Sequence, residues 1–89
     1  MTKKMYLNDN VIIEEMLEYS IASYDKKVAV LNETSLFLIK NCNNLTRNEL
    51  IDKLISQISD FGDVPTNQIY EDCEKAINYL VQNNFILEE

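Results

Sequence analysis

The apolar residues of this chain change period at Asn32, and that change decides what it can fold into. Before Asn32 they come as β-branched runs and alternating stretches; after it they recur every three to four residues. The first pattern sends side chains to alternate faces of a strand, and the second lines one face of a helix. The chain has 89 residues, which suits one domain with a thin core. It holds one glycine and one proline, and no stretch rich in Gly, Pro or Ser divides it. Residues 1–89 are therefore expected to fold as a single domain, with 1–10 a flexible amino-terminal segment. Asparagine takes over much of the punctuation, because it tolerates left-handed backbone.

Val11, Ile12 and Ile13 form a β-branched run that favours a first strand. Residues 19–24 alternate and read as a second, although the link at 16–18 carries no turn residue. Asp25, Lys26 and Lys27 read as a turn into a third strand, Val28-Ala29-Val30-Leu31, close enough to the second to form a hairpin. Asn32 is the expected N-cap of a helix over about 33–42, with Glu33 at the positive end of its dipole and Asn41, Asn43 and Asn44 at its exit. Thr46-Arg47-Asn48-Glu49 is a capping box, and Leu45 and Leu50 occupy the positions of a hydrophobic staple. Leu50, Ile51, Leu54, Ile55 and Ile58 carry that second helix. A loop over 59–64 with Gly62 left-handed leads to Pro65 and Thr66, which open a third. Ile69, Cys73, Ala76, Ile77, Leu80 and Val81 are its apolar positions. Asn83 and Asn84 stop it, and Phe85-Ile86-Leu87 follow as an apolar tail expected to pack on the core. The predicted class is α+β: a three-stranded antiparallel sheet followed by three helices, like a winged helix with its sheet moved to the front.

Composition narrows function. The net charge is −7, so a phosphate backbone is repelled, and Arg47 is the only arginine. Nucleic acid is not an expected partner. No apolar run approaches the ~20 residues of a membrane span, and Asn8, Asp9 and Asn10 interrupt the start too soon for a secretory signal. A cytoplasmic protein is expected. There is no histidine, hence no His-based triad or general base, and no glycine loop to cradle a phosphate. No enzyme, cofactor or metal is expected. Cys42 and Cys73 lack a zinc spacing; they read as buried thiols, with a single disulfide as the other option.

At this point the sequence resembles the PqqD-like family. Val28-Ala29-Val30-Leu31-Asn32-Glu33-Thr34-Ser35 is similar to the family's strand-to-helix junction, where Leu-Asn-Glu-Thr precedes a small residue. Thr46, Glu49, Leu50 and Leu54 resemble its second helix. Glu71-Asp72-Cys73, Tyr79-Leu80 and Asn84-Phe85-Ile86 are similar to its third helix and exit, where Glu-Asp-Val, Phe-Leu and Gly-Leu-Ile are usual. Residues 11–25 fit its first hairpin, so the resemblance spans about 11–87. Leu17-Glu18 replaces a glycine often found in the first turn, and Asn84 replaces the exit glycine. The resemblance implies a domain that binds the leader of a ribosomal precursor peptide. The leader adds as a strand beside the third strand and lies against the third helix. A separate radical S-adenosylmethionine enzyme, cyclase or leader protease then acts on the peptide.

Strand addition draws affinity from main-chain hydrogen bonds and selectivity from pockets for alternate side chains. The strand Lys27, Val28, Ala29, Val30, Leu31 is apolar on both faces. It either hides both under neighbouring segments or offers one face, or its edge, to a partner. The same edge allows a homodimer by strand exchange. On the third helix Ile69, Cys73, Ala76 and Leu80 read as core, while Tyr70, Glu74, Ile77 and Val81 form a mixed stripe that suits a groove wall or a half-exposed edge. The expected peptide contacts are Lys27, Val28, Ala29, Val30, Leu31, Tyr70, Cys73, Glu74, Ile77 and Val81. Three other readings remain, one of them a purely structural subunit of a larger complex. An acyl or peptidyl carrier would use Ser35 within Thr34-Ser35-Leu36, but the usual preceding aspartate is missing. A winged-helix DNA binder would need a basic stripe on its second and third helices, which the sequence lacks.

Overall fold

A computed structural model describes residues 3–57 and 64–89. The elements run β1 (Met5–Leu7), β2 (Ile12–Glu15), β3 (Ser20–Tyr24), β4 (Lys27–Leu31), α1 (Glu33–Asn41), α2 (Arg47–Gln57), α3 (Thr66–Gln82) and β5 (Ile86–Glu88). The chain is α+β. Strands β2, β3 and β4 form an antiparallel sheet in that order, and β1 pairs antiparallel with β5 as a separate ladder. Ile58 and Gly62 of the sequence reading lie outside the described residues.

The expected sheet forms, and its two turns differ in kind. Leu17 and Glu18 make a tight connection closed by the Met16 amide on the Tyr19 carbonyl at 2.8 Å, so the hairpin does not need glycine there. Between β3 and β4 the register pairs Tyr24 with Lys27. That leaves Asp25 (φ 48°) and Lys26 (φ 66°) as a two-residue left-handed turn. Two consecutive positive φ values are the type I′ pattern, whose twist matches that of the flanking strands.

Local signals set the starts of α1 and α2 and the end of α3. The Asn32 carboxamide oxygen accepts from the Ser35 amide at 2.8 Å and caps α1. The capping box of α2 is reciprocal: the Thr46 amide donates to the Glu49 carboxylate at 2.9 Å, and the Glu49 amide donates to the Thr46 hydroxyl at 3.2 Å. The Thr46 amide holds the Glu49 carboxyl below its ordinary range. Helix α3 ends in a Schellman motif, with the Phe85 amide on Leu80 O at 2.9 Å and the Asn84 amide on Val81 O at 3.1 Å. Asn84 supplies the left-handed residue, φ 63°, as its place at the helix exit led one to expect.

The amino terminus departs from the sequence reading. Residues 1–10 are expected to be flexible, but Met5–Leu7 is a strand bonded on both sides. One side carries β5. On the other, the Met5 amide donates to Leu45 O at 2.8 Å, and Met5 O accepts from the Asn44 amide at 2.7 Å. Met5 is fully buried, and Asn8 is buried with its side chain bonded to Asn84 O at 2.8 Å and to the Asn10 amide at 3.0 Å. The apolar tail needed a partner for its backbone, and Met5-Tyr6-Leu7 provides it. Phe85 and Ile86 are buried as expected, whereas Leu87 faces solvent. The core lies between the three helices, the β1–β5 ladder and the inner face of the sheet, with Leu38, Leu50, Leu54 and Phe85 at its centre.

Candidate functional site

Strand β4 is an edge, and the phase of its hydrogen bonds follows from the turn. In a two-residue hairpin the residues flanking the turn form a hydrogen-bonded pair, and bonded and unbonded pairs then alternate. Tyr24–Lys27, Ala22–Ala29 and Ser20–Leu31 are thus the bonded pairs of β3 and β4. Ser23–Val28 and Ile21–Val30 are the unbonded ones, so both backbone groups of Val28 and of Val30 point away from β3. The other side of β3 agrees. The Met16–Tyr19 bond sets the phase with β2, which gives the outward groups of Ile21 and Ser23 to that strand. Among the described residues no strand lies beyond β4. Among the described residues no turn, loop or cap hydrogen bond uses the Val28 or Val30 backbone.

Side chains divide the same strand. Val28 and Val30 are 64% and 72% exposed, while Ala29 and Leu31 are each 3% exposed. Of the five β4 residues expected to meet a peptide, Val28 and Val30 present both a free backbone and an open side chain. Lys27, Ala29 and Leu31 spend their backbone on β3.

Helix α3 buries Ile69, Cys73 and Leu80 as expected, but its neighbouring stripe is covered as well. The Tyr70 hydroxyl donates to the Asp52 carboxylate on α2, which raises the Tyr70 pKa. Glu74 accepts from Arg47 Nη1 at 2.9 Å. Tyr70 and Glu74 therefore face α2 and hold the helices together. Ile77 is 0% exposed and Cys73 1%; Ile77 is core, not groove wall, and Val81 is half-buried against the same core. The reason is that α3 packs against α1, α2 and β5 together, so more than one stripe is covered. On α3, Ile69 and Cys73 are buried and Asp72 between them is exposed. These line a crevice of ≈ 150 Å³ with Thr34, Leu54 and Val64. Thr34 is three residues past the end of β4, at most ~10 Å of chain, so the crevice adjoins the strand's carboxy-terminal end. Cys73 is the one expected α3 contact that lines it. In the sequence, Glu71, Asp72 and Glu74 read as a solvated acidic face or as partners for basic residues of a leader, whereas Ile69, Thr34 and Leu54 were not expected at the site; the spacing of Ile69 and Asp72, three apart on one helix, was the available signal.

A second hollow of ≈ 250 Å³ lies at the same end of the sheet, bounded by Glu15, Leu17, Glu18, Leu31, Glu33 and Leu36 among others. Glu15 is paired there with Lys40 at 3.1 Å. Arg47 binds Glu88 through two nitrogens, at 2.9 and 3.0 Å, and Asn78 at 2.6 Å as well as Glu74. Those bonds raise the guanidinium pKa and hold the Glu88 carboxyl below its ordinary value. The arginine that a DNA reading would require is thus committed inside the protein.

Burial pushes the Cys42 thiol up to about 11. Burial likewise raises Cys73, helped by Asp72 and Glu74. Both cysteines are free, and both are thiols at neutral pH. Ser35, the attachment point of the carrier reading, is half-buried in the first turn of α1. Among the described residues no group of His, Cys, Asp or Glu is placed to hold a metal ion, and no helix is long and apolar enough to cross a membrane.

No family model, curated protein or solved structure matches the chain. The site is therefore read from its own geometry: an unpaired strand edge with two outward-facing residues, ending beside an apolar crevice that carries one carboxylate.

Proposed function

We propose that this protein is a non-catalytic, cytoplasmic peptide-binding adaptor of the PqqD-like kind. It captures the leader of a ribosomal precursor peptide as an added strand on β4, beside the crevice at α3. It then presents the peptide to a modifying enzyme, a radical S-adenosylmethionine enzyme, a cyclase or a leader protease. The observation that carries the reading is the free edge of β4 at Val28 and Val30. The winged-helix-like order of elements and the residues shared with the family support it.

The energetics call for both parts of the site. Two outward residues offer up to four backbone hydrogen bonds to a guest strand. At about 0.5–1.5 kcal/mol net each, these barely offset the cost of ordering an extended peptide. The crevice of ≈ 150 Å³ supplies what is missing, because it takes one branched or aromatic side chain of the guest. Main-chain bonds then place the leader, and the buried side chain selects it.

The test is hydrogen exchange on the isotope-labelled protein, with the synthetic leader of a precursor encoded beside it. Free protein exchanges the Val28 and Val30 amides quickly and the Ala29 amide slowly. Saturating leader slows Val28 and Val30 and leaves Ala29 unchanged. A leader that binds without protecting either valine defeats the strand-addition reading.

A further inference from the structure

The two ends of the β4 edge differ in charge. Lys27 opens the strand and Lys26 fills the turn before it, both exposed. Beyond Leu31 comes exposed Glu33, and the two hollows flanking that end are lined by Glu15, Glu18, Glu33 and Asp72 with no lysine or arginine. The ion pairs of the described residues join Lys40 to Glu15 and Arg47 to Glu74 and Glu88. Among those residues Lys26, Lys27, Glu18, Glu33 and Asp72 pair with none. From Lys27 to Leu31 the strand climbs four steps of about 3.3 Å, roughly 13 Å. That exceeds the ~8 Å screening length of physiological salt, so the ends act as two separate charge centres.

Resting on the strand-capture reading, we infer that the edge selects an extended peptide by its order of charge: basic residues on the amino-terminal side, acidic residues some four to six positions later, and β-branched residues between. A guest strand runs alongside β4 residue by residue. Its direction is antiparallel, the arrangement of the three strand ladders among the described residues and the stronger one per residue. Its amino-terminal side therefore meets Glu33 and Asp72, and its carboxy-terminal side meets Lys26 and Lys27. The stretch from Lys26 to Glu33 has this same order, so a second copy of the edge is the built-in competitor, and binding is measured on dilute protein.

The probes are two capped synthetic peptides of one composition, Lys-Lys-Val-Thr-Val-Thr-Val-Glu-Glu and its reverse, with a third bearing glutamine at the charged positions. Each exposed cross-strand pair contributes a few tenths of a kcal/mol, and reversal turns attraction into repulsion. The first peptide is expected to bind about tenfold tighter than the second, with the neutral one between and the ratio shrinking at high salt. The double substitution Lys26→Glu with Lys27→Glu closes the gap. Equal affinities for the two orders, with Val28 and Val30 amides protected by both, overturn the charge order and leave strand capture standing. A preference for the reverse order overturns it as well. Protection by none of the three at millimolar concentration overturns capture and charge order together.

Discussion

A pair of proline substitutions one residue apart separates the free face of β4 from its paired face. Val30→Pro removes a donor that points to solvent, so no bond of the sheet is lost. Proline is tolerated on edge strands, and Ala29 before it is already extended. The cost to the fold is expected to stay within about 1 kcal/mol. In the complex the same ring deletes one guest hydrogen bond, about 0.5–1.5 kcal/mol net, and leaves a desolvated guest carbonyl without a donor, a further ~1–3 kcal/mol. The total of about 1.5–4.5 kcal/mol weakens leader binding roughly 10- to 1,600-fold. Ala29→Pro acts on the other face. Its amide bonds to Ala22 across the ladder, and its side chain is 3% exposed. Loss of that bond and the clash of the ring cost about 3 kcal/mol or more. Urea unfolding followed by far-ultraviolet circular dichroism reads the fold, and fluorescence anisotropy of a labelled leader reads the affinity. A folded Val30→Pro protein that binds as tightly as the parent refutes the proposed edge. Equal destabilisation by the two prolines refutes the hydrogen-bond phase from which it was derived.

Other outcomes follow from the scaffold. Arg47→Met strips Glu88, Glu74 and Asn78 of their shared donor at a site only 24% exposed; it is expected to cost about 2–3 kcal/mol in urea unfolding, and a loss under about 0.5 kcal/mol shows the clamp to be idle. Glu88 and Glu49 have carboxyls held below their ordinary 4.5, so unfolding takes up protons in acid. Their stabilisation is complete above pH 4.5 and drains away below it, and Arg47→Met flattens the thermal-melt profile across that acid limb. Asn84→Gly relieves the left-handed cap and raises stability by about 0.5 kcal/mol, whereas Asn84→Val lowers it by more than 1 kcal/mol. Met5→Ala opens a cavity at a fully buried position and costs about 2–4 kcal/mol by urea unfolding, against almost nothing if residues 1–10 are a loose tail.

Local signals in the sequence carried most of the architecture. Asn32 and the Thr46–Glu49 box fix where two helices start, because each satisfies orphan amides within four residues. Asn84 marks the end of α3 for the same reason. Long-range pairing was less legible. Met5-Tyr6-Leu7 is too short to announce a strand, and its partner lies about eighty residues away at Ile86–Glu88. The hint was an apolar tail whose backbone had no partner. On α3 the periodicity correctly placed Ile69, Cys73 and Leu80 inside, yet it assigned Ile77 to a surface stripe. Periodicity gives the axis of burial and not its width, and a helix packed on several elements covers more than one stripe. The turn at Asp25 and Lys26 was visible; the phase it imposes on Val28 and Val30 needed the register.

Charge explains why an apolar edge and a stable core coexist in so small a domain. Fifteen acidic residues face eight basic ones, so each cation matters by its place. Arg47 is used behind α3, where with β1 and β5 it locks the helices away from the edge. Lys40 fastens α1 to Glu15 at the end of β2. Lys26 and Lys27 are left at the hairpin tip, and charge on an exposed strand discourages indiscriminate pairing with other chains. The open strand is thus held by rigid neighbours and guarded electrostatically at both ends. On the proposed strand capture, a guest finds the backbone already extended and the crevice already formed, so little ordering of the protein opposes its binding. The guest alone has to stiffen. The edge therefore favours peptides rich in β-branched residues, which lose least when drawn straight.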